Sequence, residues 1–421
     1  MLRETESSPH VLTGIARSAC ASRLGVARLT KMAVSGADLR PLWKDLIAKL
    51  LDGTAEAGEG LDLSLIAQLL GDKPAGLAIQ REILASHQLF RSPCAVERPR
   101  LRVLAFAAAT DMGSNTPIEF LLEESEIELM TLYVMPESEL PEPLPDHDIA
   151  IVIASDSEEC RDALRRIERA ASRLPRPLLN PPHAVCNLDR DKLHRLLDGI
   201  DGLEIPVTTR VTHEILSALS LGSLAPSDIE LGLAFPVIVR PRGSHVGAGL
   251  ARLDDAAAVD RYLDQHQEQE FFISRFVDYA SDDGLFRKYR IVFIDGRPFA
   301  CHMAIADRWD VWYLNAGMSA SASKRREEAE FMRTFDTGFA PRHEIALTAM
   351  ADWIGLDYFT VDCAETKSGT LLVFEADNTA IVHNMDSPNV FPYKAPQMRK
   401  VFDAFAAMLN RRARYVREKA A

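Results

Sequence analysis

DYFTVDCAETKSGTLLVFEAD, residues 357–377, is the stretch from which the rest of the chain is read. Aromatic and β-branched residues flank a Lys-Ser-Gly turn, the pattern of two antiparallel strands. With Ser368 and Gly369 as the turn residues, Lys367 faces Thr370 and, counting back, Asp362 faces Glu375. Side chains alternate along a strand, so Asp377 points the way of Glu375. Asp362, Glu375 and Asp377 then share one face, and Phe359, Val361, Leu372 and Phe374 share the other. Like charges set opposite one another destabilise a sheet, and burying them unpaired costs more. A hard cation reverses the sign of that cost. Mg2+ takes one or two protein carboxylates and completes its shell with water and phosphate oxygens. The apolar outer face argues against the plain alternative, an exposed and solvated acidic edge.

The chain has 421 residues, more than one ordinary core, so two or three domains are expected. Hydrophobic residues make up 47% and charged ones 26%, a globular balance, and no apolar run approaches the ~20 residues that span a bilayer. A net charge of −13 argues against nucleic acid as the main partner. The six cysteines stand singly without a CxxC pair, which suits reduced thiols in the cytoplasm better than disulfides or a zinc site. The first thirty residues are rich in Ser, Ala and Arg and lack the continuous apolar core of a secretory signal. Residues 1–35 read as a disordered or mis-assigned start, with translation beginning at Met32.

Leu39, Leu42, Trp43, Leu46, Ile47 and Leu50 recur at helical spacing before Gly53. Further helices are expected over 63–70 and 74–90. Residues 36–96 thus read as a helical module suited to packing or to docking a partner, with SPCAVERPR (92–100) as linker. LRVLAFAAA (101–109), 127–134 and 148–154 read as strands of a βαβ pattern that the helix 157–174 and the strand 177–179 extend. Ligands in such sheets sit beyond the carboxyl ends of strands. The loop 110–115 is therefore either a substrate contact or a solvated turn.

FPVIVRPRGSHVGAGLARL (235–253) combines a buried strand, the basic pair Arg240 and Arg242, and a glycine-rich loop. Gly243, Gly247 and Gly249 let the backbone approach a ligand and turn N–H groups towards phosphate oxygens. The spacing matches neither a Walker loop nor GxGxxG, and hairpin glycines are the common alternative. FFISRFVDY (271–279) is another apolar strand, and residues 285–305 form a second hairpin around Asp295-Gly296. Arg290 opens that hairpin, where a guanidinium can hold a transferring phosphoryl group. Asn315 and Gly317 lie in a loop before an acidic helix near 324–335, and 398–417 reads as a closing amphipathic helix.

In this order the pieces resemble the ATP-grasp superfamily over about 101–409. Within it, the glutathione synthetase-like ligases and those that add amino acids to peptide ends are most similar. Asp362 with Glu375-Ala376-Asp377 resembles the metal-binding Asp and Glu-x-Asn of the family, and PRGSHVGAG its phosphate-covering loop. Lys192 stands where an ATP-contacting lysine precedes the central strand. Arg290 matches the arginine that steadies an acyl phosphate, and Asn315 the asparagine of the phosphate-side loop.

The resemblance implies an α/β (α+β) ATP-grasp fold with an N-terminal helical extension and a Rossmann-like pre-ATP-grasp domain over 100–182. An ATP-grasp domain follows over 183–411, its lid subdomain at about 205–280 and its metal-binding subdomain at about 281–411. It implies ATP and Mg2+, and a ligase that joins a carboxylate to an amine, free or within a peptide. Arg290 and Asn315 are the implied catalytic residues, and Asp362, Glu375 and Asp377 the metal ligands. The nucleotide falls to Lys192, Arg240, Arg242, Gly243, Ser244, Gly247, Gly249, Ser274, Arg275 and Val277. Neither nucleic acid nor membrane is an implied partner, while self-association is open.

Four positions depart from the family pattern. Arg240 replaces a lysine, Ser274 the Glu or Gln that opens the adenine hinge, and Asp377 the usual Asn; Lys288 occupies an often acidic, ribose-facing place. They motivate an alternative, a degenerate relative that binds nucleotide or a partner without turnover. On the acceptor side, His383, Asp386, Lys394 and Arg399 border the expected pocket, with His302 and His245 nearby. Packing or surface roles are the plainer reading for each.

Overall fold

The computed structural model describes residues 20–244 and 247–420. Apolar strands of the first half build a six-stranded sheet from β1 (Ala21–Ser22), β2 (Leu89–Arg91), β3 (Leu101–Ala108), β4 (Ile127–Val134), β5 (Ile149–Val152) and β6 (Leu178–Leu179), in the order β1-β2-β4-β3-β5-β6. Strands β4, β3, β5 and β6 run parallel. They are nearly continuous in apolar residues because parallel strands are covered on both faces.

Four helices precede or interrupt this sheet: α1 (Val26–Val34), α2 (Arg40–Leu51), α3 (Ala57–Leu69) and α4 (Lys73–Ser86). The fold begins earlier than the sequence suggests. From Cys20 onward the segment set aside as far as residue 35 is built in: Leu29 is fully buried, and Arg23 forms a buried ion pair with Glu119 at 2.7 Å. Asp62 of α3 accepts from the Leu24 and Gly25 amides at 2.6 and 3.1 Å. Residues 1–19 and His245 lie outside the described residues. The helix expected to reach residue 90 stops at Ser86, and Phe90 enters β2, fully buried. Pairing with β4 captures its backbone, so β1 and β2 make the helical module part of the first sheet.

A short strand, β7 (Leu203–Glu204), leads to a second, antiparallel sheet. It consists of β8 (Thr208–Thr212), β9 (Val237–Pro241), β10 (Ala251–Leu253) and β11 (Glu270–Arg275), ordered β10-β9-β11-β8. Val237, Val239, Phe271 and Ile273 give it a separate core with Leu216 and Leu219. The third sheet holds β12 (Phe286–Ile294), β13 (Arg297–Ala306), β14 (Tyr358–Glu365) and β15 (Leu371–Asp377), with β7 at its edge, in the order β13-β12-β14-β15-β7. The helix Lys394–Ala420 closes over it, its Phe405 ring edge-on to Tyr358 at 5.3 Å.

Two asparagines join this sheet to the first. Asn180 exchanges hydrogen bonds with the Tyr358 backbone at 2.8 and 2.9 Å. Asn378 donates to the Ala154 carbonyl at 2.9 Å, and its own carbonyl accepts from Thr116 Oγ1 at 2.6 Å. The carboxyl ends of β5 and β6 are thereby held against the start of β14 and the end of β15.

The β14–β15 hairpin keeps Asp362 opposite Glu375, by a different route from the expected one. Thr366 donates to the Thr370 carbonyl at 2.9 Å, so the turn contains the three residues 367–369 rather than two. The pairs near the turn are consequently Glu365 with Leu371 and Cys363 with Val373. A bulge then inserts Phe374 and restores the Asp362–Glu375 pair. The bulge also changes the faces. Leu371 and Val373 join Phe359 and Val361 in the main core, while Leu372 and Phe374 sit with Ala364 and Tyr279. The sequence reading placed Leu372 and Phe374 with Phe359 and Val361; one extra residue reverses that parity.

Candidate active site

A cavity of about 900 Å³ is lined by the second and third sheets, by α1 and by residues between 112 and 120 that follow β3, and lies at the upper end of the usual size for a small-molecule site. Register aims its central residues. Strand pairing sets His302 opposite Arg290, Arg290 opposite Asp362, and Asp362 opposite Glu375. A polar row thus crosses β13, β12, β14 and β15 on the face that lines the cavity. Lys288, two residues before Arg290, points the same way.

The acids of this row are already paired. Asp362, 3% exposed, accepts from Arg290 Nε at 2.7 Å and Nη2 at 3.0 Å, and from Lys288 Nζ at 2.7 Å. Burial raises its pKa, but the Arg290 and Lys288 charges overcome this and hold it well below the usual carboxylate range. Glu375 is paired with Arg190. There too burial works upward, and Arg190 and Lys288 bring the group down to about 2. Asp377 differs: it accepts from Thr379 N and Oγ1 at 2.6 and 2.8 Å, and burial pushes its carboxyl up. Asp156, just beyond the carboxyl end of β5, is pushed up to about 7 by burial and by the charges of Asp189 and Asp377.

For Mg2+ the donor set is right in kind, three hard carboxylates on one cleft face. The Asp377 carboxyl, whose pKa burial raises and to which the neighbouring Glu375 charge adds, is a group that a cation would relieve. Among the described residues no three such side chains converge into a ready cage. Lysine and arginine hold Asp362 and Glu375 instead. The residues fit the ion on condition that these cations exchange partners.

Eleven of the fifteen sequence-derived site residues line the cavity: Arg240, Ser244, Gly247, Ser274, Arg275, Val277, Arg290, Asn315, Asp362, Glu375 and Asp377. Arg240 reaches across its own loop to Ser244 Oγ at 3.2 Å, and burial followed by the Arg190 charge lowers its pKa to about 10. Asn315 is engaged within its loop, accepting from the Trp312 amide at 3.0 Å and donating to the Asp310 carbonyl at 2.9 Å. In the hinge, the Arg275 and Phe276 amides are bound to the Val207 and Pro236 carbonyls, both at 3.1 Å.

Lys192, Arg242, Gly243 and Gly249 do not line the cavity. Lys192 donates to the Cys186 carbonyl at 2.9 Å, while Arg190, two residues earlier, lines the cavity. The two are separated by about 200° around a helix, since each residue advances about 100°. Arg242 pairs with Glu270 at 2.5 Å and with Glu158, in the segment after β5, at 3.1 Å. Gly249 is required for packing: a Cβ there would lie 2.5 Å from the Pro241 ring, at a φ of +66°. Arg190 and Asp156 were not singled out from the sequence. A strand-end position beyond β5 was the available signal for Asp156.

No family model and no curated protein matches the chain. Solved structures do. A RimK domain ATP-grasp protein from Sphaerobacter thermophilus is 16% identical with a TM-score of 0.44, the match covering 73% of this chain and 99% of that one. D-alanine–D-alanine ligase from Bacillus anthracis, complexed with ATP, is 14% identical with a TM-score of 0.43 and coverages of 75% and 99%. The ATP-grasp ligase PsnB, complexed with precursor peptide PsnA2 and AMPPNP, is 12% identical with a TM-score of 0.40 and the same coverages. Two of these solved structures are described as ATP-grasp proteins.

Proposed function

We propose that the protein is a Mg-ATP-dependent ligase that joins a carboxylate to an amine through an acyl phosphate. The observation that carries this reading is the row Arg290–Asp362–Glu375, facing a cavity that also receives Arg190, Arg240 and Lys288. Four cations and three acids in one cleft suit a ligand that brings both signs of charge, as a metal-bound nucleotide does.

Asp362, Glu375 and Asp377 would hold Mg2+, which would supply positive charge to offset that of the phosphates. Arg190, Arg240, Lys288 and Arg290 would then face the phosphates, with charge-assisted hydrogen bonds replacing their present ones. A substrate carboxylate oxygen attacks the γ-phosphorus and ADP leaves. The amine nitrogen next attacks the acyl carbon, inorganic phosphate leaves, and the nitrogen gives up a proton. Positioning and electrostatic stabilisation supply most of such catalysis. The segment 241–250 serves as the lid that keeps water from the acyl phosphate, and residues 274–277 border the base.

A second reading is nucleotide binding without turnover, favoured by the cations that already occupy Asp362 and Glu375. A screen for ADP release separates the two. Release that requires both a carboxylic acid and an amine, and that Glu375→Gln abolishes while circular dichroism is unchanged, is the expected result. Nucleotide binding without release by any pair would favour the second reading, and turnover indifferent to Glu375→Gln would remove the metal role.

A further inference from the structure

The cavity does not end at the charged row. Part of its wall is α1, a helix outside the stretch that resembles ATP-grasp proteins, through Val26, Thr30 and Val34. A spacing of four puts these three on one helix face. The helix is anchored there: the Ala27 amide donates to Glu119 at 2.9 Å, and Lys31 pairs with Glu123 at 2.5 Å.

Charged groups at this end are already engaged. Lys394, 4% exposed, pairs with Asp386 at 2.8 Å and Glu328 at 3.3 Å. Burial above all, with the Lys394 charge, pushes the His383 pKa down to about 4, so its ring is neutral at pH 7. An ion brought here would lose hydration without gaining a free counter-ion. Apolar side chains, in contrast, stand unusually exposed on the cavity wall: Val34 at 59%, Leu314 at 77%, Ile381 at 43% and Trp312 at 39%. Exposed large apolar side chains lining a cavity mark a binding surface.

We propose that α1 sets substrate selectivity: the substituent next to the reacting carboxylate or amine is uncharged and apolar, a leucine- or phenylalanine-like side chain packed against Val34 and its neighbours. The inference rests on the ligase reading for the identity of the reacting groups. Its apolar selectivity comes from α1 and the wall residues alone.

The test uses the full chain with ATP present and a panel of amino acids and dipeptides bearing Leu, Phe, Asp or Lys side chains. Binding is followed by calorimetry and ADP release in parallel. Apolar members are expected to bind about tenfold or more tightly than charged ones. Val34→Asp, at an exposed position, is expected to weaken apolar binding about tenfold while leaving the ATP Kd and the melting temperature unchanged. Tighter binding of charged members, no binding by any member, or apolar binding indifferent to Val34→Asp overturns the proposal. ADP release without selectivity leaves the ligase standing and removes the role of α1. Apolar-selective binding without ADP release does the reverse.

Discussion

Asp362 takes both of its cations from β12, so removing one leaves a buried carboxylate half-compensated. Arg290→Met is expected to cost about 3 kcal/mol, the usual penalty for breaking a buried pair, read from the denaturant midpoint. At position 190 the expected effect is on function. Arg190→Met should lower kcat/KM for ATP about tenfold or more, the worth of a charge-assisted bond, whereas Lys192→Met should change it less than about twofold. His383 supplies a pH test. Its folded pKa lies near 4, below the ordinary 6.5, so the unfolded chain binds the extra proton first. Stability is therefore full above about 6.5 and falls as pH drops towards 4; His383→Gln should flatten that slope in thermal melts. The acid trio and Arg290 were legible as residue types at fixed spacing. The pairing of Arg290 with Asp362 was not, because it depends on which strand lies beside β14.

At the level of elements, the hairpin that positions the acids depends on one backbone conformation. Gly369 has φ +80° with open space around it, so its replacement tests strain without a clash. Gly369→Val is expected to cost about 1–2 kcal/mol, the left-handed penalty for a residue with a Cβ, visible as a lower melting temperature. Gly58 in α3 is different, since a Cβ there would lie 1.9 Å from the Ser22 carbonyl oxygen. Gly58→Ala should loosen β1 from α3, detectable as faster amide exchange in residues 21–25. The two hairpin strands were recognisable from their alternation. Their parity was not, because a three-residue turn and a one-residue bulge compensate each other, and only contacts with Tyr279 and Ala364 reveal on which side Phe374 falls.

For the whole molecule, the order of the apolar strands after residue 100 and the acidic hairpin conveyed the architecture in advance. The segment before residue 36 did not announce itself, because its strand is two residues long and its buried Arg23 reads as a surface charge without Glu119 beside it. A chain begun at Met32 lacks that arginine, the Ala27 amide that binds Glu119 and the buried Leu29. It is expected to lose about 3 kcal/mol and to unfold at a lower urea concentration than the full chain.

Arg242, on the loop after β9, reaches Glu158, a carboxylate 61% exposed to solvent. Bonds of this kind are worth at most about 1 kcal/mol and fade with added salt. The loop after β9, which the ligase proposal makes a lid, is therefore clasped to the segment after β5 by a fastening that ionic strength can undo. Residence time of a bound nucleotide should shorten as sodium chloride is raised, and Glu158→Gln should remove much of that dependence.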